Sequence, residues 1–427
     1  MDGKLLLSWM SDLFPINRSL SGDGNRQTLE YLHGIVPEIE TKSFSCGEKV
    51  FDWTIPDEWN VEDAYIETID GRKFSQFKQN NLHLVGYSKP IDKIVTKEEL
   101  LEHLYFMEDY PDAIPYVTSY YERTWGFCIR YTDYQDIGDG PFRVYINSRF
   151  TSGEEGGVLN YGEAYFPGIS SQEVLFSTYI CHPSMANNEL SGPIVASAIA
   201  LSLRETNHYY SYRFLFLPET IGSIAYLSRN FSEMKSSVIA GWVLTCLGDG
   251  GVFSYIPSRT GTNYADKISR RILSDKSPEY REYSWLDRGS DERQYCSPGI
   301  DLPICSITRS KYGAYPEYHT SADNLSLITE KSIMESVNLF RDIVTQIEGT
   351  RVPRIKVLCE PQLGKRGLYP NLLKRGAYSA NVKNMQDVIS YLDGKHTIEE
   401  IADLCGIKSQ NVHEILEILL REDLLYT

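Results

Sequence analysis

Val174-Leu-Phe-Ser-Thr-Tyr-Ile180, Cys181-His-Pro-Ser-Met-Ala-Asn-Asn-Glu-Leu-Ser-Gly192 and Pro193-Ile-Val-Ala-Ser-Ala-Ile-Ala-Leu-Ser-Leu-Arg204 follow one another without a gap. The first is a continuous β-forming run, the signature of a strand covered on both faces. The second is a turn. The third predicts a helix, with Pro193 suited to its start and Val195, Ile199 and Leu203 on one face. The same grammar repeats downstream. Tyr212–Leu217 reads as a strand with a helix around Ile221–Asn230, and Val238–Leu247 reads as a third strand. Such alternation predicts an α/β fold: a mostly parallel sheet flanked by helices, with its chemistry in loops at the carboxyl ends of the strands.

Outward from this stretch the texture changes. Residues 1–50 read as helical, with an amphipathic stripe at Leu5, Leu6, Trp9, Met10 and Leu13, continued over Gln27–Ile35 after a Ser19–Gly24 turn. From 51 to 165, short runs (Ala64–Ile69, Leu82–Gly86, Trp125–Tyr131, Phe142–Ile146) alternate with Gly, Pro and Asp turns, and Lys97–Phe106 is the one helical stretch. At the far end, Thr397-Ile-Glu-Glu400 is a capping box, Gly406 a break, and Ser409–Leu420 a second helix before an apolar Leu424–Tyr426. That order reads as a winged helix. The expected organisation is an α/β domain from 1–50 and 166–352, an inserted β-rich domain at 51–165, and a winged-helix-like domain at 355–427. Two or three domains suit a chain of 427 residues.

Composition narrows the function. A net charge of −16 argues against nucleic acid or an anionic membrane as the main partner. The eight cysteines contain no CxxC pair, which argues against a disulfide scaffold or a cysteine-rich zinc site. No apolar run approaches a membrane span, and Met1–Phe14 is amphipathic and not a secretory h-region, so the expected location is cytoplasmic. Residues 355–427 hold nine Lys/Arg against ten Asp/Glu, and Ser409–Leu420 has no Lys or Arg. A DNA reader neutralises several phosphates, so packing or homo-oligomerisation suits this tail better.

Three strand-end segments carry the candidate chemistry: Cys181–Gly192, Pro218-Glu-Thr-Ile-Gly-Ser223 and Glu317-Tyr-His-Thr-Ser-Ala-Asp-Asn324. A zinc hydrolase needs imidazole and carboxylate ligands, plus a free carboxylate to take a proton from the attacking water. His182, Glu189, Glu219 and His319 are the right types in the right places. Each also has a structural reading. The histidines serve equally as hydrogen-bonders, Glu219 as a charge at a helix N-terminus, Asp323 as a turn or cap, and Asp249 as a turn residue.

In order, His182, Asn188-Glu-Leu-Ser-Gly192, Glu219-Thr-Ile-Gly222 and Tyr318-His-Thr320 resemble the motifs of the zinc-dependent aminopeptidases. Gly289-Ser-Asp-Glu-Arg-Gln-Tyr295 with Gly299-Ile-Asp-Leu-Pro303 resembles the substrate-side loop of that family. More narrowly, the full length resembles the bacterial aminopeptidase-like proteins of polysaccharide-biosynthesis gene clusters, which carry an inserted β domain and a C-terminal winged helix. The resemblance implies a metallopeptidase-type hydrolase acting on a small peptide-like or amide substrate. Departures accompany it: Asn188 stands at the bridging Asp, Thr220 at the second Glu, and Ser184 at the Asp of His-x-Asp. A neutral Asn bridges two cations poorly, so one zinc ion is expected. The expected ligands are His182, His319 and Glu189, with Asn188, Asp249 or Cys246 as further candidates. Glu219 is then the base, Asp291 and Arg293 anchor the substrate's charged ends, and Tyr295 and Tyr318 offer oxyanion donors. Two rivals follow from the departures and the tail: an inactive ligand- or partner-binding relative, and a metabolite-sensing regulator acting through the winged helix.

Overall fold

An eight-stranded sheet carries the site, in the order Glu40–Ser45, Val158–Phe166, Ser211–Leu217, Glu173–Tyr179, Val238–Leu244, Ile304–Thr308, Ser254–Ile256, Arg281–Glu282. The computed structural model describes residues 1–369 and 380–426. Ser211–Leu217 through Ile304–Thr308 run parallel, while Val158–Phe166 and Ser254–Ile256 join antiparallel on either side. The three strands read from the sequence are buried along their whole length. Their side chains alternate between the faces. Val174, Phe176, Phe214, Phe216 and Trp242 enter one core with helices Gly3–Leu13, Ser191–Arg204, Tyr264–Lys276 and Glu330–Glu348. Leu175, Leu215, Leu217 and Val243 enter a second core with helix Ile221–Ser237. Burial of each such side chain contributes ~1.5–3 kcal/mol.

Two features of these strands need a physical reason. Glu173 and Arg213 are charged yet buried, and they pair: the guanidinium meets Glu173 at 2.7 Å, Glu163 at 2.5 Å and Glu233 at 2.6 Å. Gly192 lies so near the strand ends that a Cβ would come within 2.3 Å of both the Leu244 carbonyl and Thr178 Oγ1. Helix Ser191–Arg204 docks there because residue 192 has no side chain.

A second sheet, all antiparallel, has the order Lys73–Phe74, Glu58–Thr68, Phe142–Thr151, Ile91–Val95. Its apolar side chains, Ala64, Ile66, Phe142 and Val144 among them, continue the second core. Val158–Phe166, which the sequence reading puts almost wholly in this segment, pairs instead with Glu40–Ser45 and Ser211–Leu217 in the large sheet. Its near-complete burial suits a strand covered on both faces. Over Lys97–Phe106 only Lys97–Leu101 is helical. Leu104–Tyr105 pairs with Phe127–Cys128, which buries Leu104 and gives the Phe127 N–H the His103 carbonyl.

The C-terminal winged helix has its own core. Thr397 and Glu400 form the capping box of Ile398–Cys405, and Gly406 ends that helix at φ 64°. Ser409–Arg421 follows, and Leu425 bridges back to Ile355. Residues 370–379 and 427, which the sequence reading of this domain spans, lie outside the described residues. Among the described residues no helix is long and apolar enough to cross a membrane.

Candidate active site

The carboxyl ends of the parallel strands deliver the candidate side chains. His182 follows Glu173–Tyr179, Glu219 follows Ser211–Leu217, and Cys246 follows Val238–Leu244. His319 arrives on the loop after Ile304–Thr308. Its ring centroid is 5.4 Å from that of His182. Ser184, Thr220, Cys246 and His319 all adopt positive φ (44°, 64°, 50° and 56°). Each such backbone costs about 1–3 kcal/mol and persists where the surroundings over-determine it.

The segment after His182 forms a single π turn, Ala186–Leu190, followed by helix Ser191–Arg204. Asp323 clamps that turn. Its carboxylate accepts the N–H groups of Ala186 (3.1 Å), Asn187 (2.6 Å) and Asn188 (2.9 Å), and the Tyr315 hydroxyl at 2.9 Å. The cap foreseen at Asp323 thus acts on a segment far away in sequence. Asn188 is held by its own neighbours, its Oδ1 accepting the Tyr179 hydroxyl at 2.9 Å.

Glu189 is buried, and both of its oxygens have partners. Arg18 Nε donates to one oxygen at 2.6 Å. The other accepts the Cys181 N–H at 3.0 Å, the His182 N–H, and His182 Nδ1 at 3.1 Å. Cys181, His182 and Glu189 lie close enough together to hold an ion, but one Glu189 oxygen is engaged by three donors and the other by the Arg18 guanidinium, so the carboxylate already serves protein partners. The geometry gives it another part: with Nδ1 bound to Glu189, His182 presents Nε2 outward, as carboxylate-backed imidazole ligands do. Burial opposes a charge on His182, but the hydrogen bond and charge of Glu189 prevail and raise its pKa.

His182 Nε2 lies 3.8 Å from Glu219 Oε2. Loss of hydration pushes the Glu219 carboxyl up, against the pull of His182 and the Ser290 hydroxyl, which donates at 2.9 Å. Beside it Asp291 is buried. One oxygen accepts the Thr220 N–H at 2.7 Å and the Ser223 hydroxyl at 2.8 Å, and Oδ2 has no partner. Burial and then the Glu219 charge push Asp291 up to about 7. Arg293 donates to Thr220 Oγ1 at 2.9 Å and to the Ser290 carbonyl at 3.1 Å. Asp291 and Arg293 therefore grip the same residue from two sides.

His319 is stacked on Tyr318 at 3.9 Å and meets the edge of Tyr116 at 5.2 Å. Its Nε2 is buried with no hydrogen-bond partner. Burial, then the charge of His182, depresses its pKa to about 3, so the imidazole stays neutral. Tyr116 comes from the inserted segment, and its N–H donates to the His319 carbonyl at 2.8 Å. Two sequence candidates sit differently. The Tyr295 hydroxyl meets Ser177 Oγ at 2.9 Å in the interior. Asp249 accepts the Gly251 N–H at 3.0 Å, the Ser310 N–H at 3.2 Å and the Ser310 hydroxyl, stapling its loop to the strand beside it.

Residues 7–350 match a family described as a domain of unknown function (DUF4910), and residues 351–427 match a winged helix-turn-helix family. The chain belongs to the first family. A relative from Clostridium acetobutylicum, 40% identical over 99% of this chain and 96% of its own, is named as a candidate polysaccharide biosynthesis protein with an aminopeptidase-like domain. A crystal structure from that organism, described as a candidate peptidase, is 38% identical with a TM-score of 0.80, over 99% of this chain and 96% of that one. A zinc aminopeptidase from Bacillus subtilis shares the fold at 12% identity and TM-score 0.59, over 81% of this chain and 95% of that one. The family resemblance read from the motifs therefore holds, including the winged helix.

Within this DUF4910 chain the site residues that sequence reasoning missed are Arg18, Tyr116 and the clamping role of Asp323. Arg18 and Tyr116 lie in no motif. Asp323 carried a signal in its place four residues after His319.

Proposed function

We propose that this chain is a hydrolase of the metallo-aminopeptidase type, cleaving an amide or peptide-like bond in a small substrate. One observation carries the reading: His319, whose Nε2 is buried without a partner, has its ring 5.4 Å from that of His182, and His182 Nε2 in turn lies 3.8 Å from Glu219. Two imidazoles are the donor set of a borderline cation such as zinc; burial keeps His319 neutral, and a bound cation would displace any proton from His182 Nε2. The residues fit one ion held by His182 and His319. They fit a pair poorly, because Asn188 and Thr220 are neutral and already hydrogen-bonded. A bound zinc would polarise the substrate carbonyl and acidify the attacking water.

The chain's own groups do the rest. Glu219, with its raised pKa, takes the proton from the attacking water and returns it to the leaving amine. Ser290 orients that carboxylate, and Asp291 beneath it sets how readily it holds a proton. Tyr116 and Tyr318 wall the histidines and exclude bulk water.

The neutral residues Asn188 and Thr220 favour a second reading, a ligand-binding relative that does no chemistry. Hydrolysis of a panel of aminoacyl amides, with and without added zinc, separates the two. Glu219→Gln is expected to lower kcat by ~10²–10⁴ with KM little changed. A wild-type rate that Glu219→Gln leaves intact, or no rate on any amide with zinc bound, would favour the binding protein.

A further inference from the structure

Between the α/β domain and the winged helix lies a cavity of about 470 Å³, whose lining includes none of His182, Glu219 and His319. Four cations line it: Lys235 and Arg259 from the α/β domain, Arg354 and Lys395 from the winged-helix segment. In a chain of net charge −16, such convergence runs against the composition.

The carboxylates at hand do not neutralise it. Arg259 holds Asp301 at 2.7 Å. Asp393 accepts the Lys395 N–H at 2.9 Å and His396 Nδ1 at 3.1 Å, closing its own turn. Lys235 Nζ donates only to carbonyls, of Ile300 at 2.5 Å and Asp301 at 3.0 Å, and Arg354 donates to the Ser236 carbonyl. Among the described residues, neither Lys235 nor Lys395 reaches a carboxylate within ion-pair distance. Burial lowers the Lys235 pKa, and the charges of Lys395, Arg354 and Arg259 lower it further, against the pull of Asp301. Like charges converging on a concave groove are stabilised by an anion.

We propose that this groove binds a small phosphate-bearing metabolite of about the size of a nucleoside diphosphate, with the anion between Lys235, Arg354 and Lys395. Lysine and arginine together are the usual phosphate-binding set. The volume lies within the ~300–1,000 Å³ of small-molecule sites. Val238, Leu302 and Pro303 supply an apolar wall for the rest of the ligand. Because the cations come from both sides, occupancy fastens the winged helix to the α/β domain. A duplex suits the groove less: it is a pocket, and the helix Ser409–Arg421 ends in its one basic residue, Arg421.

Calorimetric titration of the full-length protein with inorganic pyrophosphate, at low and at physiological salt, tests this. The expected result is one site per chain, weakened by salt and weakened at least tenfold in Lys235→Ala/Lys395→Ala. The exposed Lys395→Ala alone, which removes no hydrogen bond of the fold, is expected to weaken it several-fold, and the remote Lys78→Ala not at all. A nucleoside diphosphate is expected to bind at least as tightly as pyrophosphate and to compete with it. No binding, binding that survives both variants, or a groove that takes duplex DNA and not pyrophosphate would overturn the proposal.

Discussion

Two buried carboxylates flank His182 and Glu219, and they live under opposite conditions. Glu189 has Arg18 at 2.6 Å and donors on both oxygens. Asp291 has two neutral donors on one oxygen, none on the other, and the Glu219 charge beside it. The first arrangement is scaffolding: a carboxylate paired with a buried guanidinium, used to hold an imidazole in one orientation. The second stores no fixed charge. It keeps a proton available next to the base, which is the usual way a fold separates a structural acid from a titrating one.

Removing the partner of the first carboxylate breaks the comparison hardest. Arg18→Ala leaves Glu189 buried and uncompensated, and is expected to cost about 3–5 kcal/mol in urea unfolding. A loss below about 1 kcal/mol would mean that Glu189 takes its proton or finds water, and that the ion pair is not what fixes His182.

The second carboxylate gives a smaller effect with a definite sign. Its folded pKa, about 7, lies above the unfolded carboxylate value, so the folded state binds the proton more tightly. With chelator present, the Asp291 contribution to stability is full below the unfolded pKa of about 4 and is lost as pH rises through about 7. Asp291→Asn is expected to flatten that part of the pH–stability curve and to gain on the wild type above pH 7, by on the order of 2–4 kcal/mol. Unchanged pH dependence in Asp291→Asn would place the titrating proton elsewhere.

How much of this the sequence disclosed depends on where each residue sits relative to its strand. His182 and Glu219 were legible because a buried β run ends immediately before them, and a parallel sheet puts such positions at one edge. The strand Val158–Phe166 falls within the β-rich segment by texture yet pairs in the large sheet, because Asn160, Gly162 and Glu163 in it leave no pattern that tells one sheet from the other. Asn188 and Glu189 are adjacent in a π turn, and no periodicity tells which points to the cleft and which to the interior. Arg18 meets Glu189 across 171 residues. Tyr116 reaches His319 from the inserted segment. Only the packing of the first helices and of that segment against the sheet brings them in, so nothing local marks them.

In the proposed site His182 and His319 share an ion. Metal content per chain, measured by elemental analysis on protein purified without chelator and then offered zinc, tests that most directly, alongside the His182→Ala/His319→Ala double variant. About one zinc per chain in the wild type and none in the folded variant is the predicted result. No zinc in the wild type after it is offered, or the same content in both proteins, would contradict the metal site and leave the ligand-binding reading.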